Sequence, residues 1–266
     1  MIPAYRAAEA VGDVVAGVLP FVDHVIVVDD ACTQESGLLV EARFSGDPRV
    51  EVLRHQGNRG VGAAMKTGFH RALYLGADIV LKVDADGQMD PRYISQMVRI
   101  LEANPRISLV KGNRFFDSAV TRLMPGLRLL GNSALTFLVR LTSGYWNGID
   151  PTNGFFAISG RALRRIKIDR LADRYFFEIS LLVELGMRRG QIAEIEMPAR
   201  YDAATSSLSI GRTLVTFPGR LFSAFCRRVF WQYIVSDMNV GSLFLGIGLP
   251  LLAFGLLAGV MLETQS

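Results

Sequence analysis

Cysteine is nearly absent from this chain. Cys32 and Cys226 stand alone in segments of different character, so neither a disulfide framework nor a zinc cluster is suggested, and a reducing compartment is expected. No Gly-x-Gly-x-x-Gly follows the first strand, which argues against a dinucleotide-binding Rossmann domain. Low-complexity segments, fixed-period repeats and an obvious interdomain linker are also missing. No signal peptide is read before the first motif. With half its residues hydrophobic and a fifth charged, the chain is not disordered, and its 266 residues suffice for one large α/β domain plus something extra.

Long uncharged runs are scarce until the end, where Leu243 to Leu262 holds twenty residues without a charge. At about 1.5 Å per residue they would cover a hydrocarbon core of ~30 Å as one helix. The alternative is a buried helix of a soluble domain, but so continuous an apolar run leaves no wet face. Basic residues crowd the amino-terminal side of the run, which by the positive-inside rule leaves the large domain cytoplasmic. Before the run, Leu214, Phe217, Leu221, Phe225 and Val229 recur at helical spacing, with Arg212, Arg220, Arg227 and Arg228 mainly between them and Trp231 and Tyr233 following. That pattern suits a helix lying in a membrane interface, its arginines on lipid phosphates; an ordinary amphipathic core helix is the other reading.

The rest alternates strand and helix, which predicts a mostly parallel sheet with helices on both faces. Strands are expected around 24–29, 50–54, 79–83, 107–111, 155–159 and 192–197, and helices over 7–19, 34–44, the segment after Asn58, 91–103, 123–142 and 176–185. Ile79 to Val83 stands out, because this short apolar strand ends in Asp84-Ala85-Asp86-Gly87-Gln88. Acids at a strand's carboxyl end can face a divalent cation carrying a diphosphate, and they can equally cap the helix that Pro91 opens. His24 to Asp30 repeats the arrangement with paired acids, and Asn58-Arg-Gly60-Val-Gly62 to Lys66 is a glycine-bearing turn entering a helix.

Taken together and in order, these pieces resemble family 2 glycosyltransferases of the GT-A fold over nearly the full length, and more narrowly the polyprenyl-phosphate glycosyltransferases. The resemblance implies a GT-A domain over residues 1–208, a juxtamembrane helical segment over 209–240 and a transmembrane helix over 241–262. It implies that Pro3, Ala4 and Tyr5 cradle the base and ribose, that Asp29 and Asp30 bind the nucleoside, and that Lys66 follows a turn where a cation could approach the donor. Lys66 reads equally well as a solvated helix residue. Asp84, Ala85, Asp86 and Gln88 match the Asp-x-Asp-x-Gln segment, with Asp84, Asp86 and Gln88 holding Mg²⁺ or Mn²⁺ against the diphosphate; oxygen ligands suit either ion.

Lys111-Gly-Asn-Arg114 resembles the family's Gly-Ser-Arg motif, and Arg128 falls where a second arginine binds the lipid phosphate. Asp150, Asn153 and Gly154 match the segment beside the reacting sugar, and Glu178 the Phe-x-Glu position. Arg200, Tyr201, Ser206 and Ser207 resemble a loop that closes over the pyrophosphate. Two departures carry meaning: Ala7 stands where the family usually has a Glu, and Ser207 where mannose synthases carry a lysine, which favours a UDP-sugar over GDP-mannose.

The resemblance thus implies a metal-dependent enzyme that transfers a sugar, with inversion, from a nucleotide-sugar to polyprenyl phosphate at a membrane, with no nucleic-acid partner. Among its residues Asp86, Asp150, Arg114 and Arg128 carry the chemistry. A membrane-anchored enzyme extending a saccharide and a non-catalytic nucleotide-sugar-binding protein are the competing readings. Association into a homo-oligomer stays open.

Overall fold

The computed structural model describes residues 1–114, 126–146, 150, 153–198, 210–236 and 238–263, with backbone alone at 126–130, 132, 210–216 and 262–263. Strands β1 (Ile2–Ala4), β2 (Val25–Asp29) and β3 (Val50–Arg54) pair in parallel, in the order β1-β2-β3. A second group runs β4 (Ile79–Lys82), β6 (Phe156–Ser159), β5 (Ile107–Asn113), β7 (Gln191–Glu196). The two groups meet at Met1, whose terminal ammonium donates to Leu81 O at 2.9 Å while Val83 N donates to Met1 O at 3.0 Å. This bracketing of one residue by two is the bond pattern of a parallel ladder. Among the described strands β6 alone runs against its neighbours, antiparallel to both β4 and β5. The expected mostly parallel sheet is therefore present, with one reversed strand that periodicity did not announce.

Helices cover both faces, as the unbroken apolar strands require. Ile26 and Val28 point into one core and Val25 and Val27 into the other. Phe156 and Ile158 likewise oppose Phe155 and Ala157. Helices α1 (Val11–Val18), α2 (Ser36–Arg43) and α4 (Ile94–Ala103) lie on one side. On the other are α3 (Val61–Tyr74), α5 (Gly126–Ser143), α6 (Gly160–Arg165), α7 (Phe177–Met187) and α8 (Ile210–Phe230). Phe217 of α8 meets Phe176, just before α7, edge to face with ring centres 5.4 Å apart.

A short π-helical stretch, Trp231–Ser236, leads to α9 (Val240–Glu263). Val240–Met261 is long and apolar enough to cross a membrane, and none of it is buried within the structure. The soluble-core reading of this run thus finds no core around it.

Arg227 and Arg228 depart from the expectation that they face lipid phosphate. Arg227 Nη1 lies 2.9 Å from Glu184 Oε1, and Glu184 is wholly buried. Arg228 is buried; its Nε donates to Thr142 O at 2.8 Å and its Nη2 to Leu141 O at 3.0 Å. It thereby satisfies carbonyls in the last turn of α5, where orphan acceptors and the negative end of the helix favour a cation. The physical reason is the helical period: Leu221, Ala224 and Arg228 fall on one stripe, and all three are buried.

Candidate active site

Three strands, β1, β2 and β4, end side by side, and each tip carries a motif residue followed by a sharp reversal. Arg6, after Tyr5, has φ +55°; Ala31, after Asp30, has φ +56°; Gly87, after Asp86, has φ +75°. The left-handed region is costly for the two residues with a Cβ, so the surrounding structure holds these turns in place. The tips bring Pro3, Ala4 and Tyr5 together with Asp29, Asp30, Asp84, Ala85 and Asp86 along one sheet edge. Tyr5 is exposed there, with the Arg6 guanidinium carbon 5.3 Å from its ring centre.

The acids of the second tip are deeply involved in the fold. Asp29 accepts from Cys32 N at 2.7 Å and Gly37 N at 2.8 Å, shaping the turn into α2. Asp30 accepts from Arg59 N at 2.9 Å and Gly60 N at 2.6 Å, and lies 2.7 Å from His55 Nδ1. His55 Nε2 in turn sits 2.8 Å from Thr67 Oγ1. Both carboxylates are almost fully buried, so they fix the glycine turn and the tip of β3 as walls of the site. Lys66 is turned aside: its ammonium pairs with Asp173 and donates to Leu171 O at 3.2 Å.

Asp86 is the exposed acid of the third tip. Burial of part of its carboxyl raises its pKa, the nearby charge of Asp84 adds to the rise, and the N–H of Gln88, 3.0 Å away, opposes it. Among the described residues no group of three or more His, Cys, Asp or Glu could hold a metal ion by itself. Asp84, Asp86 and the Gln88 amide oxygen nevertheless fit a hard cation that keeps waters and takes its remaining ligands from a diphosphate, the usual habit of Mg²⁺.

Below the tips lies a layer of charge that the motif reading missed. Lys82 and Lys111 are both paired in register with Phe156, one from each side, and both are buried. Lys82 Nζ lies 2.6 Å from Asp84 Oδ1, 3.3 Å from Glu178 Oε1 and 3.3 Å from Gly154 O. Burial works against its charge, but Asp84 and Glu178 outweigh that and hold the ammonium above the ordinary lysine range. Lys111 donates to Asn153 O; burial lowers its pKa to about 8 even though Asp150 and Glu178 pull it upward. The available signal was alternation: a lysine interrupting an apolar strand two residues before Asp84 must share that residue's face.

Asp150 is wholly buried and accepts from Arg114 Nε at 3.0 Å. Asn153 is a connector, its amide donating to Gly112 O at 2.8 Å and its oxygen accepting from Phe155 N at 3.0 Å. Gly154 has no room for a side chain, since a Cβ would collide with Asp84 Oδ2 and Lys82 Nζ. The structure thus gathers Asp84, Glu178 and Gly154 around Lys82, and Asp150 and Asn153 around Arg114 and Lys111. Arg128 lies in α5 and is described by backbone alone, and Arg200, Tyr201, Ser206 and Ser207 lie outside the described residues.

The sequence profile of glycosyl transferase family 2 matches residues 1–170, which include every strand tip just described. The chain belongs to glycosyl transferase family 2. This glycosyltransferase is 28% identical over 214 residues to a UDP-N-acetylglucosamine–dolichyl-phosphate N-acetylglucosaminyltransferase of Methanococcus voltae, covering 76% of the chain and 84% of the relative. It is 31% identical over 172 residues to an undecaprenyl-phosphate mannosyltransferase of Micrococcus luteus, covering 64% and 69%. In fold it matches the glucosyl-3-phosphoglycerate synthase of M. tuberculosis with a TM-score of 0.60 and 21% identity, over 90% of this chain and 81% of that one. The glycosyltransferase accordingly has a GT-A-like architecture, and enzymes of this fold commonly use a divalent metal.

Proposed function

We propose that this enzyme transfers a sugar, with inversion, from a nucleotide-sugar to the phosphate of a polyprenyl lipid at the cytoplasmic face of a membrane, with UDP-sugars preferred to GDP-mannose. The observation that carries the reading is the meeting of Tyr5, Asp30 and Asp86 at one sheet edge, on a chain with an unburied apolar helix at its end. The named activities of its relatives support the acceptor class. On this reading residues 1–208 form the catalytic domain, 209–240 its juxtamembrane segment and 241–262 the anchor.

Tyr5 offers a ring face to the base, while Asp29 and Asp30 hold the turns that shape the nucleoside pocket. Asp86 and Gln88, with Asp84 beside them, would hold Mg²⁺ or Mn²⁺, which when bound supplies Lewis-acid stabilisation of charge on the diphosphate. Lys82 keeps Asp84 and Glu178 compensated, so that the floor beneath the donor does not repel it. An acceptor phosphate is already ionised near neutral pH, and no strong base is required. Buried Asp150 therefore positions: it holds Arg114 by its Nε, at the place where a phosphate has to approach an anionic donor. Arg128 is assigned the second acceptor contact, and Arg200, Tyr201, Ser206 and Ser207 the closing loop over the pyrophosphate.

The test is a screen of UDP- and GDP-sugars with undecaprenyl phosphate and metal, reading lipid-linked product by mass. Product from a UDP-sugar is expected. Turnover only when a saccharide acceptor is added would replace the proposal with the chain-extending reading, and donor binding without nucleotide release would replace it with a sensor.

A further inference from the structure

The chain enters α9 beside a basic cleft that the transfer reaction does not use. The cleft holds about 330 Å³ and lies at the sheet edge opposite the motif-bearing tips, where β5 and β7 begin and β6 ends. Arg106, Arg161, Arg165, Arg188 and Arg189 line it, and no acidic side chain does so among the described residues. An adjoining hollow of about 320 Å³ shares Arg165, Arg188 and Arg189 and is bounded by Trp231 and Ser236. Four residues after Ser236, the apolar helix begins at Val240.

Two of these arginines are fixed by the fold. Arg188 Nη1 lies 2.7 Å from the buried Glu184 carboxylate, and Arg161 Nη1 donates to Pro105 O at 3.0 Å. Arg106 and Arg165 are exposed, and their guanidiniums take no hydrogen bond or ion pair among the described residues. Arg106 and Arg165 thus bring two exposed guanidiniums of one sign to a concave surface, an arrangement that an anion would relieve.

Position chooses the anion. Through the hollow that shares three of its arginines, the cleft adjoins Trp231 and Ser236, and Ser236 stands four residues before an apolar span; indole rings favour the depth of a bilayer's head groups. We propose that this cleft binds the phosphate-bearing head group of an anionic phospholipid of the leaflet that α9 enters. The inference rests on α9 being a span, and it assigns the cleft no part in sugar transfer. Guanidiniums suit the task because each presents forked donors and keeps its charge at any working pH.

The experiment uses the full chain in neutral detergent with equal amounts of phosphatidylglycerol and phosphatidylcholine, counting retained lipid by native mass spectrometry. Wild type is expected to retain phosphatidylglycerol preferentially. The pair Arg106→Gln and Arg165→Gln should weaken that preference by about tenfold or more, since each basic residue near a charged leaflet adds to its attraction. The pair Arg106→Lys and Arg165→Lys should keep most of it. Equal retention of phosphatidylglycerol by wild type and the glutamine pair would overturn the proposal, as would inorganic phosphate occupying the cleft as tightly as the lipid. Failure of the chain to float with pure phosphatidylcholine vesicles is a separate result, which removes the span and the proposal with it.

Discussion

Lys82, its own side chain buried, stabilises two partly buried acids at once, Asp84 at 2.6 Å and Glu178 at 3.3 Å. Removing one member of a buried ion cluster strands its partners, at a cost that the remaining hydration of Asp84 and Glu178 reduces below that of a fully buried pair. Lys82→Met should therefore lower the apparent melting temperature sharply, and adding Glu178→Gln should recover part of the loss; additive losses in a double-mutant cycle would show that the two do not interact. Asp86→Ala should abolish metal-stimulated turnover, while Asp150→Asn, altering a positioning group, should leave measurable activity. Full activity of Asp86→Ala in the product assay would remove the metal assignment. Lys111 gives a pH signature. Its folded pKa, about 8, lies below that of an exposed lysine, so between those values the unfolded chain binds the extra proton and stability rises with pH. Against a Lys111→Met variant, wild type should gain stability as pH climbs from about 8 toward 10, and a flat difference across that window would contradict the burial effect.

At the scale of elements, the strand tips were legible because apolar runs ending in acids state both the strand and its edge. Ile79 to Gln88 gave a buried strand, a turn and a candidate cation site from ten letters of local pattern. The floor beneath was less legible, because pairing Lys82 and Lys111 through Phe156 depends on β6 inserting antiparallel between β4 and β5. No local period encodes that long-range choice. The same limit explains Arg228. Its place on the buried stripe of α8 was readable from spacing, but its partners, the last carbonyls of α5, lie far back in the chain. Arg228→Gln should cost about 1–2 kcal/mol through the lost charge-assisted bonds to those carbonyls. Urea unfolding of the whole chain would read this, and an unchanged midpoint would mean that water satisfies the α5 terminus as well.

For the whole molecule, the unburied α9 is accompanied by other exposed apolar side chains on the elements that precede it. Phe137, Leu138 and Trp146 in and after α5, and Phe222, Phe230 and Trp231 in and after α8, are all exposed. The chain has two tryptophans, Trp146 and Trp231, which makes them native reporters of these positions. In vesicles carrying lipids brominated just below the head groups, fluorescence of both should be quenched, and Trp146→Phe should leave the Trp231 share. Unquenched emission would place both in water and separate the catalytic domain from the bilayer plane.

The passage from Ser236 to Val240 has a mechanical consequence. Even fully drawn out, so few residues extend by only about 14 Å, so on the proposed reading a domain moored through α9 cannot drift away from the bilayer. Its hunt for an acceptor becomes two-dimensional, governed by how fast lipids wander past in the leaflet. A slack insert of glycine and serine after Ser236 should slow turnover on a vesicle-borne acceptor while leaving donor affinity untouched.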